Sequence, residues 1–258
     1  MTLAELPVAL LAVLGLYFVG MSRSAEQLSR VQQRQHLVLF VLGLLAALMV
    51  FVPSPGLFGP DHRFAVNMGQ FVLAVDVGPL LLFLGIPAAW LQPLLRWDRL
   101  GRRLTHPLLA GLLSSAILVG WHLPVLFEAA SRDLTLWLLK QALFLVAGLL
   151  LWWPVAGPIA AWRPPYIAQL AYMFLVRVPT VLLGIIITFA DKLIYTARSF
   201  ALEICAPSSV SDQTLGGLLM WTVGEFVMLT VFSIVFFNWR RAAEAADPVW
   251  TARSSKNG

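Results

Sequence analysis

Four ionisable side chains lie inside long apolar runs of the sequence: Asp76, Lys140, Arg177 and Glu225. A charged side chain surrounded by hydrocarbon is costly, so such residues face a protein interior and usually have a partner. Their depths from the predicted outer edge of each run follow from a rise of about 1.5 Å per residue. The depth is roughly 18 Å for Asp76, 9 Å for Lys140, 14 Å for Arg177 and 13 Å for Glu225. These depths predict pairing of Asp76 with Arg177 and of Lys140 with Glu225, and they also allow the swapped pairs.

A proton or ion path is the alternative use of these charges. A path needs a chain of titratable or hydroxyl groups, and nearby positions offer only Asn67, Gln70, Gln141 and Thr180. The pattern therefore favours structural ion pairs.

Groups that could bind a metal are scattered along the chain. Imidazole, thioether and thiolate suit Cu(I). The candidates on the predicted outer side are His62, Met68, His122, Cys205 and Met220, with the carboxylates of Asp191 and Asp212. They come from separate places without the short spacing of a metal motif, and a Met in an apolar run is usually core filler. Copper is thus a candidate cofactor without a defined site.

Sequence motifs of catalysis are not found. The chain has no Ser/His/Asp arrangement, no paired catalytic carboxylates, no phosphate-binding Walker loop and no HExxH motif. We therefore expect a protein that is not an enzyme.

The elements that must position these residues are membrane-spanning helices. Of the 258 residues, 59% are hydrophobic and 12% are charged, whereas a soluble chain is about 25% charged. Crossing a bilayer as helix takes about 20 apolar residues. The apolar runs predict an all-α, polytopic bundle of seven spans within residues 1–240, followed by a polar cytoplasmic tail at 241–258. The spans are expected near 6–21, 36–53, 64–86, 107–123, 134–154, 166–190 and 216–238.

Basic residues predict the orientation of the bundle, because Lys and Arg accumulate in cytoplasmic loops. One side carries Arg23, Arg30, Arg34, Arg96, Arg99, Arg102, Arg103, Arg163, Arg240, Arg241, Arg253 and Lys256; the other carries Arg63, Arg132, Lys192 and Arg198. This asymmetry predicts an outer N-terminus and a cytoplasmic C-terminus in a bacterial inner membrane. Because the charges form short clusters between apolar runs, the net charge of +5 indicates topology and lipid surroundings, not nucleic acid.

Four segments carry a resemblance to a known family. They are VDVGPLLLFLGIP at 75–87, GWHLPVLFEAA at 120–130, ALFLVAGLLLWWPV at 142–155 and DQTLGGLLMW at 212–221. In this order the chain resembles the CtaG-type cytochrome c oxidase assembly factors. The resemblance implies a polytopic helical bundle that is needed to make an active haem-copper oxidase, with copper delivery as the usual proposal.

The chain departs from that family pattern at two pairs of histidines. Histidines four residues apart share a helix face, so two such pairs could hold a metal between facing helices. This chain has Asn67 and Phe71 at the first pair and Trp137 and Gln141 at the second. Phe and Trp cannot ligate a metal and neutral amides are poor copper ligands. The metal chemistry implied by the resemblance therefore does not transfer, and the chain is a divergent member.

The segment at 212–221 supplies the family-motif residues Asp212, Gln213, Gly216, Gly217, Met220 and Trp221. We expect Asp212 to cap the seventh helix, since Asp is a favoured N-cap residue. Gly216 and Gly217 are expected to allow close helix approach.

Three functions follow as hypotheses. The first is an assembly factor or chaperone for a respiratory oxidase that acts through contacts with oxidase subunits. The second is a stable accessory subunit of a respiratory or other copper-dependent membrane complex. The third is a small-molecule or ion transporter, which the absence of an evident internal repeat disfavours.

Overall fold

The computed structural model describes residues 15–22, 28–52, 63–195 and 209–246. Within these ranges the regular elements are all helices and none is a strand. A helix satisfies its own backbone hydrogen bonds, which an isolated strand in lipid cannot do. The expected all-helical class is confirmed for this part of the chain.

The helices follow in a simple order. Residues 15–22 are helical (α1), and the later helices are α2 (Arg30–Met49), α3 (Arg63–Val72), a π-helical segment (Leu73–Val77), α4 (Gly78–Gly85), a 3-10 helix (Ala88–Trp97), α5 (Asp98–Leu104), α6 (Pro107–His122), α7 (Pro124–Arg132), α8 (Leu134–Ala156), a 3-10 helix (Ala160–Trp162), α9 (Tyr166–Thr188) and α10 (Val210–Ala246).

Five helical stretches in the described part are long and apolar enough to cross a membrane. They are Arg30–Met49, Arg63–Gly85, Leu134–Ala156, Tyr166–Thr188 and Val210–Ala246. A sixth is obtained if Leu95–Arg103 and Pro107–His122, which meet at 59°, form one bent span. The 16 residues of α6 are only about 24 Å long, short of the roughly 30 Å hydrocarbon layer. Most of the expected first span, 6–21, lies outside the described residues.

Helices α2 and α10 differ in their limits from the expected spans at 36–53 and 216–238. α2 begins at Arg30, because Ser29 accepts a hydrogen bond from the Gln32 backbone and the Gln32 side chain accepts one from the Ser29 backbone. α10 has 37 residues and continues to Ala246, about 55 Å in all. The first residues of the expected polar tail are therefore helical. Hydropathy predicts which part of a helix lies in lipid, whereas capping groups determine where the helix starts.

The π-helical segment has a cause in the sequence. Pro79 has no N–H, so the Val75 carbonyl four residues earlier loses its helical donor. The Trp152 indole of α8 donates to that carbonyl at 3.0 Å, and the Gly78 N–H bonds five residues back to the Leu73 carbonyl. Such a single-turn π-bulge is frequent at functional sites. Here it contains Asp76.

Side-chain amides close the C-terminal end of α2, whose last carbonyls have no helical donor. Gln70 Nε2 donates to the carbonyls of Met49 and Val52 at 3.0 and 2.7 Å. Gln141 Nε2 donates to the Val50 carbonyl at 2.6 Å. These bonds join α2 to α3 and α8.

Glycines set the closest helix crossings. A Cβ added to Gly43 of α2 would lie 2.7 Å from the Leu82 backbone nitrogen, and one on Gly85 of α4 would overlap Phe40. Small residues at such crossings let backbones pack closely in membranes, where van der Waals contact drives association. α10 packs on α9 and α3, while α8 packs on α6, α4 and the π-segment.

Candidate functional site

Arg177 connects two carboxylates in the interior of the bundle. Its Nη1 donates to Asp76 Oδ1 at 2.8 Å, and its Nε donates to Glu225 Oε1 at 2.6 Å. The three residues come from α9, the π-segment and α10, respectively. We call Asp76, Arg177 and Glu225 the charge triad. It ties three separate elements together with charge-assisted hydrogen bonds.

Burial is unequal across the triad. The side chains of Asp76 and Arg177 are 0% and 5% exposed, whereas that of Glu225 is 26% exposed. Asp76 Oδ2 and Arg177 Nη2 are buried without a hydrogen-bond partner. The triad therefore has one enclosed end at Asp76 and one end that reaches the surface of the bundle at Glu225.

Gly224 makes room for the guanidinium. A Cβ at Gly224 would overlap Arg177 Nη2 and would lie 2.9 Å from Asp76 Oδ2. The residue next to Glu225 must therefore lack a side chain for Arg177 to reach both acids. Sequence reasoning missed this residue, although its position beside a buried acid was a usable signal.

The structure places the four predicted buried charges in two groups. Arg177 contacts both Asp76 and Glu225, which is one pair from each of the two predicted alternatives, and neither acid binds Lys140. Lys140 Nζ lies 3.3 Å from Asn67 Oδ1 and 4.9 Å from the centre of the Phe127 ring. Depth along a span orders residues across the membrane, but it does not say which helices are neighbours.

His122 lies in the aromatic cluster next to Lys140. Its ring stacks on Phe144 and meets Phe71 edge-on, with centroids 5.7 and 5.3 Å apart. Its Nδ1 is 2.7 Å from the Leu118 carbonyl. A carbonyl only accepts, so Nδ1 is the protonated nitrogen, and Nε2 is buried without a hydrogen-bond partner.

The segment at 212–221 holds helices together. Asp212 accepts from the backbone nitrogens of Phe64 and Ala65, each at 3.0 Å. It therefore caps α3, contrary to the expectation that it caps its own helix. Ser209 takes that position on α10, where its hydroxyl oxygen accepts from the Asp212 backbone. Ser209 was missed because Asp is an equally good cap by type.

The other motif residues extend this packing. Gln213 joins the connection after α9 to α10, since its Oε1 accepts from Ile194 N and its Nε2 donates to the Lys192 carbonyl. Met220 is fully buried. Trp221 Nε1 donates to Thr188 Oγ1 at 3.2 Å.

The paired glycines place α10 against two helices at once. A Cβ on Gly216 would overlap Phe64 of α3, and one on Gly217 would lie 2.6 Å from Thr188 Oγ1 of α9. The expected close approach is therefore seen. By holding α10 against α3 and α9, this segment sets the frame in which Glu225 meets Arg177.

The whole chain can now be compared with known families. A family model described as cytochrome c oxidase caa3 assembly factor matches residues 15–242. The chain belongs to the caa3 cytochrome c oxidase assembly factor family. No curated protein and no solved structure matches it. The match contains all four segments that carry the resemblance and all three residues of the charge triad.

Family membership supports a role in making cytochrome c oxidase. An assembly factor of this kind must interact with oxidase subunits, and the family suggests a non-enzymatic role. Together with the apolar helices, it identifies a membrane protein.

In this member of the caa3 assembly factor family, the positions of the histidine pattern serve packing. Asn67 accepts from Lys140, Phe71 packs on His122, and Gln141 donates to the end of α2. Trp137 is 1% exposed. Amide, phenyl and indole groups in these environments do not fit a copper ion.

The other candidate metal ligands lie in different parts of the chain. Met68 and Met220 are fully buried in the hydrophobic core. His62 and Cys205 lie outside the described residues. Within the described ranges, no group of three or more His, Cys, Asp or Glu side chains could hold a metal ion. The charge triad is therefore the best-defined polar site in this part of the chain.

Proposed function

We propose that this caa3-family member is a membrane-embedded assembly factor, or chaperone, for a haem-copper respiratory oxidase. Its family match carries the proposal. We further propose that it acts by protein–protein contacts within the bilayer and that any link to copper insertion does not require a four-histidine site of its own. The residues at those four positions support this, since they are engaged in packing and hydrogen bonds.

We infer that the chain has seven spans in a bacterial inner membrane, with the N-terminus outside and the C-terminus in the cytoplasm. The excess of Lys and Arg on one set of loops supports this orientation. An odd number of spans is required, because the two termini are proposed to lie on opposite sides. If the bent pair counts as one span, the described part has six candidate spans, and the expected span at 6–21 makes seven.

A time-resolved crosslinking experiment tests the assembly role. Cells induced to make the oxidase receive a membrane-permeable crosslinker at intervals, and oxidase subunits linked to this chain are identified by mass spectrometry. We expect links to newly made subunits that disappear as the active oxidase accumulates. Fixed-stoichiometry co-purification with mature oxidase would instead support the accessory subunit. The absence of links at every stage would contradict both.

A further inference from the structure

A groove between α9 and α10 opens beside the charge triad. It has a volume of about 310 Å³, and its walls include Phe174, Val178, Leu182, Leu229 and Phe232. Among the described residues that line it, Arg177 and Glu225 are the charged ones. The groove is therefore an apolar channel along two helices with one polar patch in its wall.

The polar patch lies at the middle of the membrane. Arg177 is the central residue of the 23-residue α9, about 17 Å from either end. The exposed part of Glu225, which binds Arg177 at 2.6 Å, consequently faces the lipid tails. Intramembrane carboxylates normally face the bundle interior or a water-filled cavity, and the other walls of this groove are apolar. A carboxylate edge left open at this depth indicates a surface that another molecule covers.

The charges of the triad do not balance. Two carboxylates share one guanidinium, and among the described residues neither Asp76 nor Glu225 has a second cationic partner. With both acids ionised, the triad carries one excess negative charge in a region of low dielectric. A cation that approaches through the groove could reach Glu225 only, since Asp76 is enclosed.

We propose that the α9–α10 groove binds a transmembrane helix of the client oxidase subunit, and that this helix presents a basic side chain to Glu225 at mid-span. The proposal rests on the proposed function and adds the site and the chemistry of the partner. A helix is the segment type whose backbone is satisfied at this depth. A lipid chain would fill the apolar walls but would offer nothing to the carboxylate. The excess negative charge selects a basic group.

Site-specific photo-crosslinking tests this proposal. A photoreactive amino acid is placed at Leu182 or Leu229 in the groove and, as a control, at Leu112 of α6, which is also exposed but does not line the groove. In cells making the oxidase, we expect the groove positions to link to one transmembrane segment that contains a basic residue near its middle. The Leu112 position should give no such link.

The role of the charge is tested in the same cells. Glu225→Gln keeps the shape of the side chain, and we expect it to lower the yield of the groove crosslink about tenfold or more, since the neutral amide loses the charge-assisted hydrogen bond to the basic group. Glu225→Asp should retain most of the yield. Thermal unfolding in detergent checks that both variants are folded.

The outcomes separate this inference from the assembly role. If Leu112 links to oxidase while the groove positions give only lipid adducts, the groove is not the binding site. The proposed assembly role is not contradicted by that result. An unchanged groove crosslink in folded Glu225→Gln would overturn recognition of a basic group. If no position links to oxidase and cells without this chain assemble the enzyme normally, the proposed function itself fails.

Discussion

Arg177 binds two carboxylates at once, which a smaller or an apolar side chain could not do. Its planar guanidinium presents several donors in fixed directions, so it reaches Asp76 and Glu225 at the same time. A Lys ammonium is a single point charge on a flexible stem and would have to choose between the acids. Because it binds one acid from the π-segment and one from α10, Arg177 links these two elements.

Removing the Arg177 side chain should strongly destabilise the folded protein. In Arg177→Leu, Asp76 would stay enclosed with no cation, and breaking a buried pair in this way costs about 3–5 kcal/mol. We expect a marked loss of stability in detergent unfolding, with part of it recovered in the double variant Arg177→Leu/Asp76→Asn. The control is Arg240→Leu, which breaks an exposed pair with Glu244 and should change stability little. Equal stability of Arg177→Leu and the native protein would show that the pair does not hold the bundle.

Gly224 gives a second test at the residue scale. In Gly224→Ala, the methyl group would overlap Arg177 Nη2, and overpacking of this kind costs about 1–3 kcal/mol. Gly69 of α3 has nothing within 4 Å of an added Cβ. Gly69→Ala should therefore be neutral or up to about 1 kcal/mol more stable, because Ala favours helix. Similar unfolding curves for the two variants would contradict the close approach of α10 to Arg177.

At the scale of elements, the π-helical segment within the Arg63–Gly85 span depends on α8 as well as on its own sequence. Pro79 explains why the Val75 carbonyl lacks a helical donor, and Trp152 explains how it is satisfied. The sequence contains both residues, but nothing in it says that they meet. A break at Pro79 can thus be predicted from the chain, whereas the donor 73 residues later depends on the helix packing.

The bulge can be tested by a double-mutant cycle. Trp152→Phe should leave the Val75 carbonyl without its donor and cost about 1–3 kcal/mol beyond the lost volume. In a Pro79→Ala background, the restored N–H can serve that carbonyl, so the cost of Trp152→Phe should be smaller. Detergent unfolding of the four proteins measures the difference. Equal costs in both backgrounds would mean that the indole hydrogen bond contributes nothing.

For the whole molecule, features that depend on hydropathy could be predicted from the sequence, whereas features that depend on helix neighbours could not. The expected spans at 64–86, 134–154 and 166–190 lie within about two residues of Arg63–Gly85, Leu134–Ala156 and Tyr166–Thr188, because hydropathy reports directly on lipid. Which helix Asp212 caps and which cation Glu225 binds depend on which helices are neighbours. Distance along the chain does not give that information.

The topology of the molecule can be tested with its single cysteine. Cys205 lies between α9 and α10, in a connection expected outside. We expect a membrane-impermeant maleimide to label Cys205 in intact spheroplasts. In a Cys205→Ser background, Ser254→Cys in the tail should react only after permeabilisation. Labelling of both positions from the same side would contradict the membrane crossing by α10 that separates them.

In the proposed function, cells require this chain to make the oxidase, and the chain does not bind copper through paired histidines. The most direct measurement is the amount of assembled oxidase, read from its haem absorbance and activity in membranes of cells that lack the chain, with oxidase subunit synthesis monitored in parallel. We predict that the subunits are made, that little active oxidase forms, and that a restored copy of this chain with its native Asn67, Phe71, Trp137 and Gln141 recovers it. Normal oxidase levels in the absence of the chain would contradict the account.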